Sequence, residues 1–222
     1  MWLGITITVY LLARALHHHL RTQLVNPAIV TIALVIVLLQ VSGTSYATYA
    51  RGGRLLSFWL GPAVVALGLP LAQQLASMRR HALGIGIALM LGALVGMIVA
   101  MGVATVLGAS PLVVRSLASR SATSSIAISI ASSIGGIPAL SAIVSILSGA
   151  LGGSIGVALL RAAGVRSPLA TGLALGAAAH GFGTARAAGE GDEEGASAAV
   201  AMGAVGLFTA LVAPLVVRIL SS

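Results

Sequence analysis

The chain has 222 residues, 58% of them hydrophobic and only 7% charged, and its apolar runs approach or exceed the roughly 20 residues that cross a bilayer as a helix. That composition excludes a soluble globular enzyme and predicts an all-α polytopic membrane protein, one transmembrane domain over 1–222 with approximate halves 1–110 and 111–222. The net charge of +8 comes from twelve basic residues, all arginine, against four acids confined to Glu190, Asp192, Glu193 and Glu194. Such an excess suits cytoplasmic loops and anionic lipid, so the expected surroundings are a lipid bilayer and no nucleic acid. Cysteine is absent, which removes disulfides and thiolate metal sites. With every acid in one cluster, a buried carboxylate relay or sodium site elsewhere is impossible, and cation transport is disfavoured.

Eight apolar segments follow in order, over 2–16, 28–42, 55–77, 82–107, 112–134, 139–160, 169–188 and 196–219. The first lacks the basic start and cleavage pattern of a signal sequence and is expected to be a retained helix. It ends in His17, His18 and His19; consecutive histidines on a helix cannot all face one ion, so an interfacial collar is expected in place of a metal site. Between the second and third segments, Tyr46, Tyr49, Arg51, Arg54 and Trp59 are typical of a membrane surface. The third segment carries Gly61-Pro62 and Gly68-Leu69-Pro70 and is expected to be interrupted, as is the seventh at Gly181 and Gly183. Residues 66–73 match 179–186 at an offset of 113, and 26–28 match 137–139 at an offset of 111, which predicts two weakly similar halves.

The fifth segment stands out. Residues 115–138, RSLASRSATSSIAISIASSIGGIP, place two arginines and a run of hydroxyls inside apolar sequence. On a helix, Ser121, Ser125, Ser129 and Ser132 would form one polar stripe, ending where Gly135, Gly136 and Pro138 disfavour helix. Serines can bond the carbonyl one turn back, but Arg120 needs water, a carboxylate or an anion. A broken helix carrying hydroxyls and a guanidinium suits a small anion; close helix packing through small residues is the alternative. Letting this segment re-enter without crossing gives seven crossings, inverts the two halves, and places Arg161, Arg166 and Arg218 in the cytoplasm with the acidic cluster outside.

A second polar constellation spans 177–196. His180 and Thr184 are four apart, Arg186 follows, and glycines loosen the backbone. A half-helix end here would offer N–H groups and the Arg186 charge to a carboxylate, and His180 can exchange a proton near neutral pH. In the alternative, His180 bonds a carbonyl and Arg186 snorkels to the interface. The acidic quartet reads as a solvated turn, with neither metal nor cofactor expected. Hydrolase chemistry is disfavoured, since no G-x-S-x-G elbow occurs and the acids sit in one turn.

Asn26-Pro27, Ser42-Gly43-Thr44-Ser45-Tyr46, residues 62–67, residues 133–139 and residues 179–186 occur in the order in which they occur in the LrgB/CidB family, which the chain resembles over nearly its whole length. That family includes bacterial antiholin-like membrane proteins and the LrgB-like part of the plant plastidial glycolate/glycerate translocator. Members often carry a Pro-Lys-Ser-x-Thr-Thr-Pro-like segment where this chain has Ser119-Arg120-Ser121-Ala122-Thr123-Ser124-Ser125; charge and hydroxyls remain, both prolines are absent, and an arginine fork replaces a point charge. The resemblance implies transport of small monocarboxylates such as glycolate, glycerate or pyruvate, a multi-pass location in the bacterial inner membrane, and a smaller LrgA/CidA-like partner. It also carries an antiholin-like role that restrains a holin-type pore and murein hydrolase activity. The expected substrate-binding residues are Arg120, Ser121, Thr123 and Ser124 from one broken segment and His180, Thr184 and Arg186 from another, with Asn26 and Pro62 lining or hinging the site. A homodimer is suggested by the small-residue faces.

Overall fold

The computed structural model describes residues 1–20, 26–66, 79 and 81–220, and among these all regular structure is helical. The chain divides into two compact units, Met1–Leu69 and Pro70–Ser222.

In the first unit, α1 (Trp2–Leu20), α2 (Pro27–Val41) and α3 (Tyr46–Ala66) follow one another. The three histidines occupy the last turn of α1, where any positive charge complements the helix dipole. Asn26 caps α2: its Oδ1 accepts from the Ala28 N–H at 2.9 Å, and Pro27 occupies the first turn, where its missing N–H costs nothing. Rings of Trp2 and Tyr49 meet edge-on at 6.1 Å, and the Thr6 and Tyr49 hydroxyls lie 3.3 Å apart, which joins α1 to α3. One expectation changes here. The helix that begins at Tyr46 runs on through Gly61 and Pro62 to Ala66 without the interruption expected there. The break expected at Gly68–Pro70 lies outside the described residues, as do residues 67–73 of the match at an offset of 113.

The second unit is built on three helices long and apolar enough to cross a membrane: α4 (Ala82–Val106), α7 (Pro138–Ala162) and α9, which runs Asp192–Leu220 with the span itself Asp192–Ile219. At 1.5 Å per residue a 25-residue helix is about 37 Å long, more than the roughly 30 Å hydrocarbon core. Large apolar side chains on α4 face outward, Leu91, Val95, Ile98 and Val99 among them, as lipid contact requires. This is an all-α polytopic membrane fold. Between α4 and α7 lie two short helices, α5 (Pro111–Leu117) and α6 (Ser124–Ser133); α8 (Pro168–Ala188) packs along α9. That last contact is backbone-close: a Cβ on Gly176 would overlap the Ala198 carbonyl, and one on Gly172 would overlap Ser197 and Glu194. Asp192, Glu193 and Glu194 fill the first turn of α9, where the helix dipole stabilises negative charge.

Candidate functional site

The serine-rich stretch is a hairpin, and its break falls earlier than the sequence suggests. Helix α5 stops at Leu117, residues 118–123 form tight turns, and α6 begins after Thr123 in extended geometry. The Gly135–Pro138 signal marks a second turn, in which Gly135 takes a φ of +68° and the Gly136 N–H bonds the Ala131 carbonyl at 2.8 Å to close α6. The chain then returns to its starting level, because the Ile137 N–H donates to Ser116 Oγ at 2.7 Å and Ser141 Oγ donates to the Ser116 carbonyl at 2.8 Å. Eight residues after Ile137 along α7, Ser145 Oγ donates to the Ala122 carbonyl at 2.6 Å. The tip therefore lies about 12 Å further along α7 than the neck.

These bonds explain why helix gives way at 118–123. The carbonyls that a continuing helix would pair are met by side chains, Ser145 at Ala122 and the His180 ring at Arg120. The expected stripe of Ser121, Ser125, Ser129 and Ser132 does not form one polar face. Ser121 is buried in the break, while the other three are exposed on α6, where Ser129 and Ser132 bond carbonyls of their own helix. The hydroxyls that hold the hairpin are Ser116, Ser119, Ser141 and Ser145, all fully buried. Sequence reasoning missed Ser141, Ser145 and Ser148, although their spacing of four and three repeats that of the stripe it did select.

Arg120 sits at the hairpin tip between the middles of α4 and α7. Its Nε donates to the Gly96 carbonyl at 3.2 Å and its Nη1 to Ser148 Oγ at 3.2 Å. Gly96 leaves space for this approach, since a Cβ there would lie 2.8 Å from Arg120 Nη2 and the guanidinium would have to shift. Among the described residues Nη2 has no hydrogen-bond partner, and no carboxylate faces the guanidinium. Ser121 Oγ lies 3.6 Å from the same Cβ position. Thr123 precedes α6 without its side chain capping it, and the first α6 backbone bond is Ala127 N–H to the Thr123 carbonyl. The N–H groups of Ser124, Ser125 and Ile126 thus have no backbone partner among the described residues, at the tip that carries Arg120.

The second break is at His180, which takes φ 37° and ψ −119°, a region a non-glycine residue rarely enters. The turn is sharp: a Cβ on Gly183 would overlap the Leu175 carbonyl, which lies two turns away along a straight helix. His180 is buried, and its Nε2 lies 3.3 Å from the Arg120 carbonyl, so the two breaks meet. Gly149 makes room, because a Cβ there would come within 2.7 Å of the imidazole. Thr184 secures the turn from behind, its hydroxyl donating to the His180 carbonyl at 2.8 Å.

The structure thus brings Arg120, Ser121 and His180 together, keeps Thr123 and Ser124 at the same tip, and uses Thr184 as a brace. Arg186 differs from expectation. Its Nη2 pairs with Glu190 Oε1 at 2.5 Å, one turn on, and Arg161 Nη2 takes the other carboxylate oxygen at 2.7 Å. A carboxylate of the chain itself already occupies the face the sequence reading reserved for a substrate. Asn26 acts as a helix cap in the first unit, and Pro62 lies within α3.

Comparison with known proteins places the chain. The model of the LrgB-like family matches residues 6–219. The chain is similar to the antiholin-like protein LrgB of Bacillus mycoides (strain KBAB4), 32% identical over 86% of this chain and 84% of that relative. It is also similar to the antiholin-like LrgB proteins of Bacillus cereus (strain B4264) and Bacillus anthracis (strain CDC 684 / NRRL 3495), each 33% identical over the same shares. No solved structure matches it. A family model spanning almost every residue, and relatives at one-third identity along most of their length, establish that the chain belongs to the LrgB-like family.

Proposed function

We propose that this chain carries small monocarboxylates across the bacterial inner membrane, with the carboxylate held at Arg120. One observation carries the reading: a guanidinium at mid-height along α4 and α7 that has, among the described residues, no acid beside it and no partner for Nη2, on the tip from which α6 starts. Placing an arginine at that depth costs about 2.5–3.5 kcal/mol on insertion scales, which a purely structural tip has no reason to bear. An anion arriving there gains a charge-assisted bond from Nη2 and N–H bonds from α6. Ser121 and Thr123 line the approach, and His180 fixes the tip through the Arg120 carbonyl. The short α5 and α6 support a re-entrant hairpin, and with it seven crossings as one transmembrane domain; movement of the hairpins against the long helices would alternate access. Glycolate, glycerate and pyruvate are the candidate substrates, and no catalytic role is proposed.

The second reading is the one that the relatives' names support: an antiholin-like regulator of a holin-type pore, acting with an LrgA/CidA-like partner or as a homodimer. The comparisons favour it over the transporter, whereas the geometry at Arg120 favours the transporter. Uptake of labelled glycolate, glycerate and pyruvate into proteoliposomes holding the purified chain alone separates them. Saturable uptake supports the carrier; well-folded protein that moves none of the three, with or without the partner, leaves the regulator.

A further inference from the structure

Thr209 is a buried hydroxyl with nothing to bond among the described residues. It is 1% exposed, and among the described residues its Oγ1 has no hydrogen-bond partner. Four other helical threonines use the carbonyl one turn back: Thr6 bonds Trp2, Thr31 bonds Pro27, Thr105 bonds Met101 and Thr184 bonds His180. A hydroxyl left unpaired in the interior is a standing cost that valine, of nearly the same shape, would not carry.

Its position follows from the register of α9. Val205, Thr209 and Ala213 lie one turn apart on one face. Val205 packs in a cluster with Leu89 and Ala93 of α4, and Ala213 in a cluster with Met97 and Met101 of α4 and with Ala118 and Ala122 of the hairpin tip. Thr209 therefore faces α4 between Ala93 and Met97, the turn that contains Gly96. The Gly96 carbonyl accepts from Arg120 Nε, and Ser121 Oγ lies beside the same glycine. One helical turn from Thr209 towards Val205, Gly206 meets Ile126 in the first turn of α6. By register, then, a hydroxyl and a guanidinium nitrogen that both lack partners among the described residues belong to the same stretch of α4, and the turn of α9 next to Thr209 touches the first turn of α6.

We infer that Thr209 is a further ligand-binding residue, its hydroxyl donating to the carboxylate of a small monocarboxylate anion held by Arg120. The inference rests on the carboxylate reading of that site. A carboxylate has two oxygens and about four lone-pair positions, so Arg120 Nη2 and the α6 N–H groups leave room for one hydroxyl donor.

The test is equilibrium binding of radiolabelled glycolate, glycerate and pyruvate to the purified full chain, with ligand-free thermal unfolding measured alongside, for the parent, Thr209→Val, Thr209→Ser and Arg120→Ala. Thr209→Val should weaken binding about tenfold or more, the loss expected for a hydrogen bond to a charged group, with ligand-free Tm unchanged or raised. Thr209→Ser, which keeps the hydroxyl, should bind nearly as the parent does. If Thr209→Val binds like the parent while Arg120→Ala does not bind, the inference fails and the carboxylate site stands. If the parent binds none of the three anions, both fail. A Thr209→Val chain that cannot fold, or that loses ligand-free stability, also overturns it, because the hydroxyl would then serve the fold.

Discussion

Arg120 and Arg186 look alike in the sequence, each an arginine near a hydroxyl in an apolar stretch expected to break, yet the structure treats them in opposite ways. Arg186 shares the Glu190 carboxylate with Arg161, at a level where its own side chain is one-third exposed and that of Arg161 is 69% exposed. Arg120 is half-buried and held by neutral groups, a carbonyl and a hydroxyl, with no carboxylate beside it among the described residues. Both arginines are geometrically fixed. Among the described residues only Arg120 has no carboxylate beside it, so the proposed site rests on charge compensation more than on charge itself.

Substitutions that act on one arginine and spare the other sharpen that contrast. The largest effect is expected at Arg120 itself: Arg120→Gln, which retains a polar planar head but no charge, should weaken monocarboxylate binding about a hundredfold or more in an equilibrium binding assay. Next comes the space the second break needs. Gly149→Ala sets a methyl against the His180 ring and should destabilise the protein by about 3 kcal/mol, read as a lowered thermal midpoint in detergent. A smaller loss, about 1–2 kcal/mol, is expected for Ser145→Ala, which leaves the Ala122 carbonyl at the tip unpaired; chemical denaturation would measure it. Smallest is Glu190→Gln, which weakens two partly exposed ion pairs and should change stability by less than about 1 kcal/mol, with anion affinity unaltered. If Glu190→Gln instead shifted affinity strongly, the division between the two arginines would be wrong.

Much of this was legible before any coordinates. Composition alone gives an all-α membrane fold, and the arginine and hydroxyl run around Arg120 identifies the broken segment. The break near Gly181 was also legible, though the strained residue is His180, one position earlier. What the sequence did not yield is where side chains replace backbone partners. Gly135–Pro138 is the stronger local signal, but Ser145 and His180, distant in sequence, satisfy the carbonyls of 118–123 and move the break upstream. The pairing of Arg186 was within reach, because Glu190 is four residues away and such pairs face each other on a helix. Thr209 left no trace in the sequence; a threonine in an apolar helix signals nothing until its partner is found missing.

The most direct measurement of the central claim is glycolate binding by Arg120→Ala and Arg186→Ala side by side, each with its folded state checked by thermal unfolding. Arg120→Ala should fold and lose binding, whereas Arg186→Ala should bind as the parent does. Equal loss in both, or binding retained in Arg120→Ala, would contradict the claim.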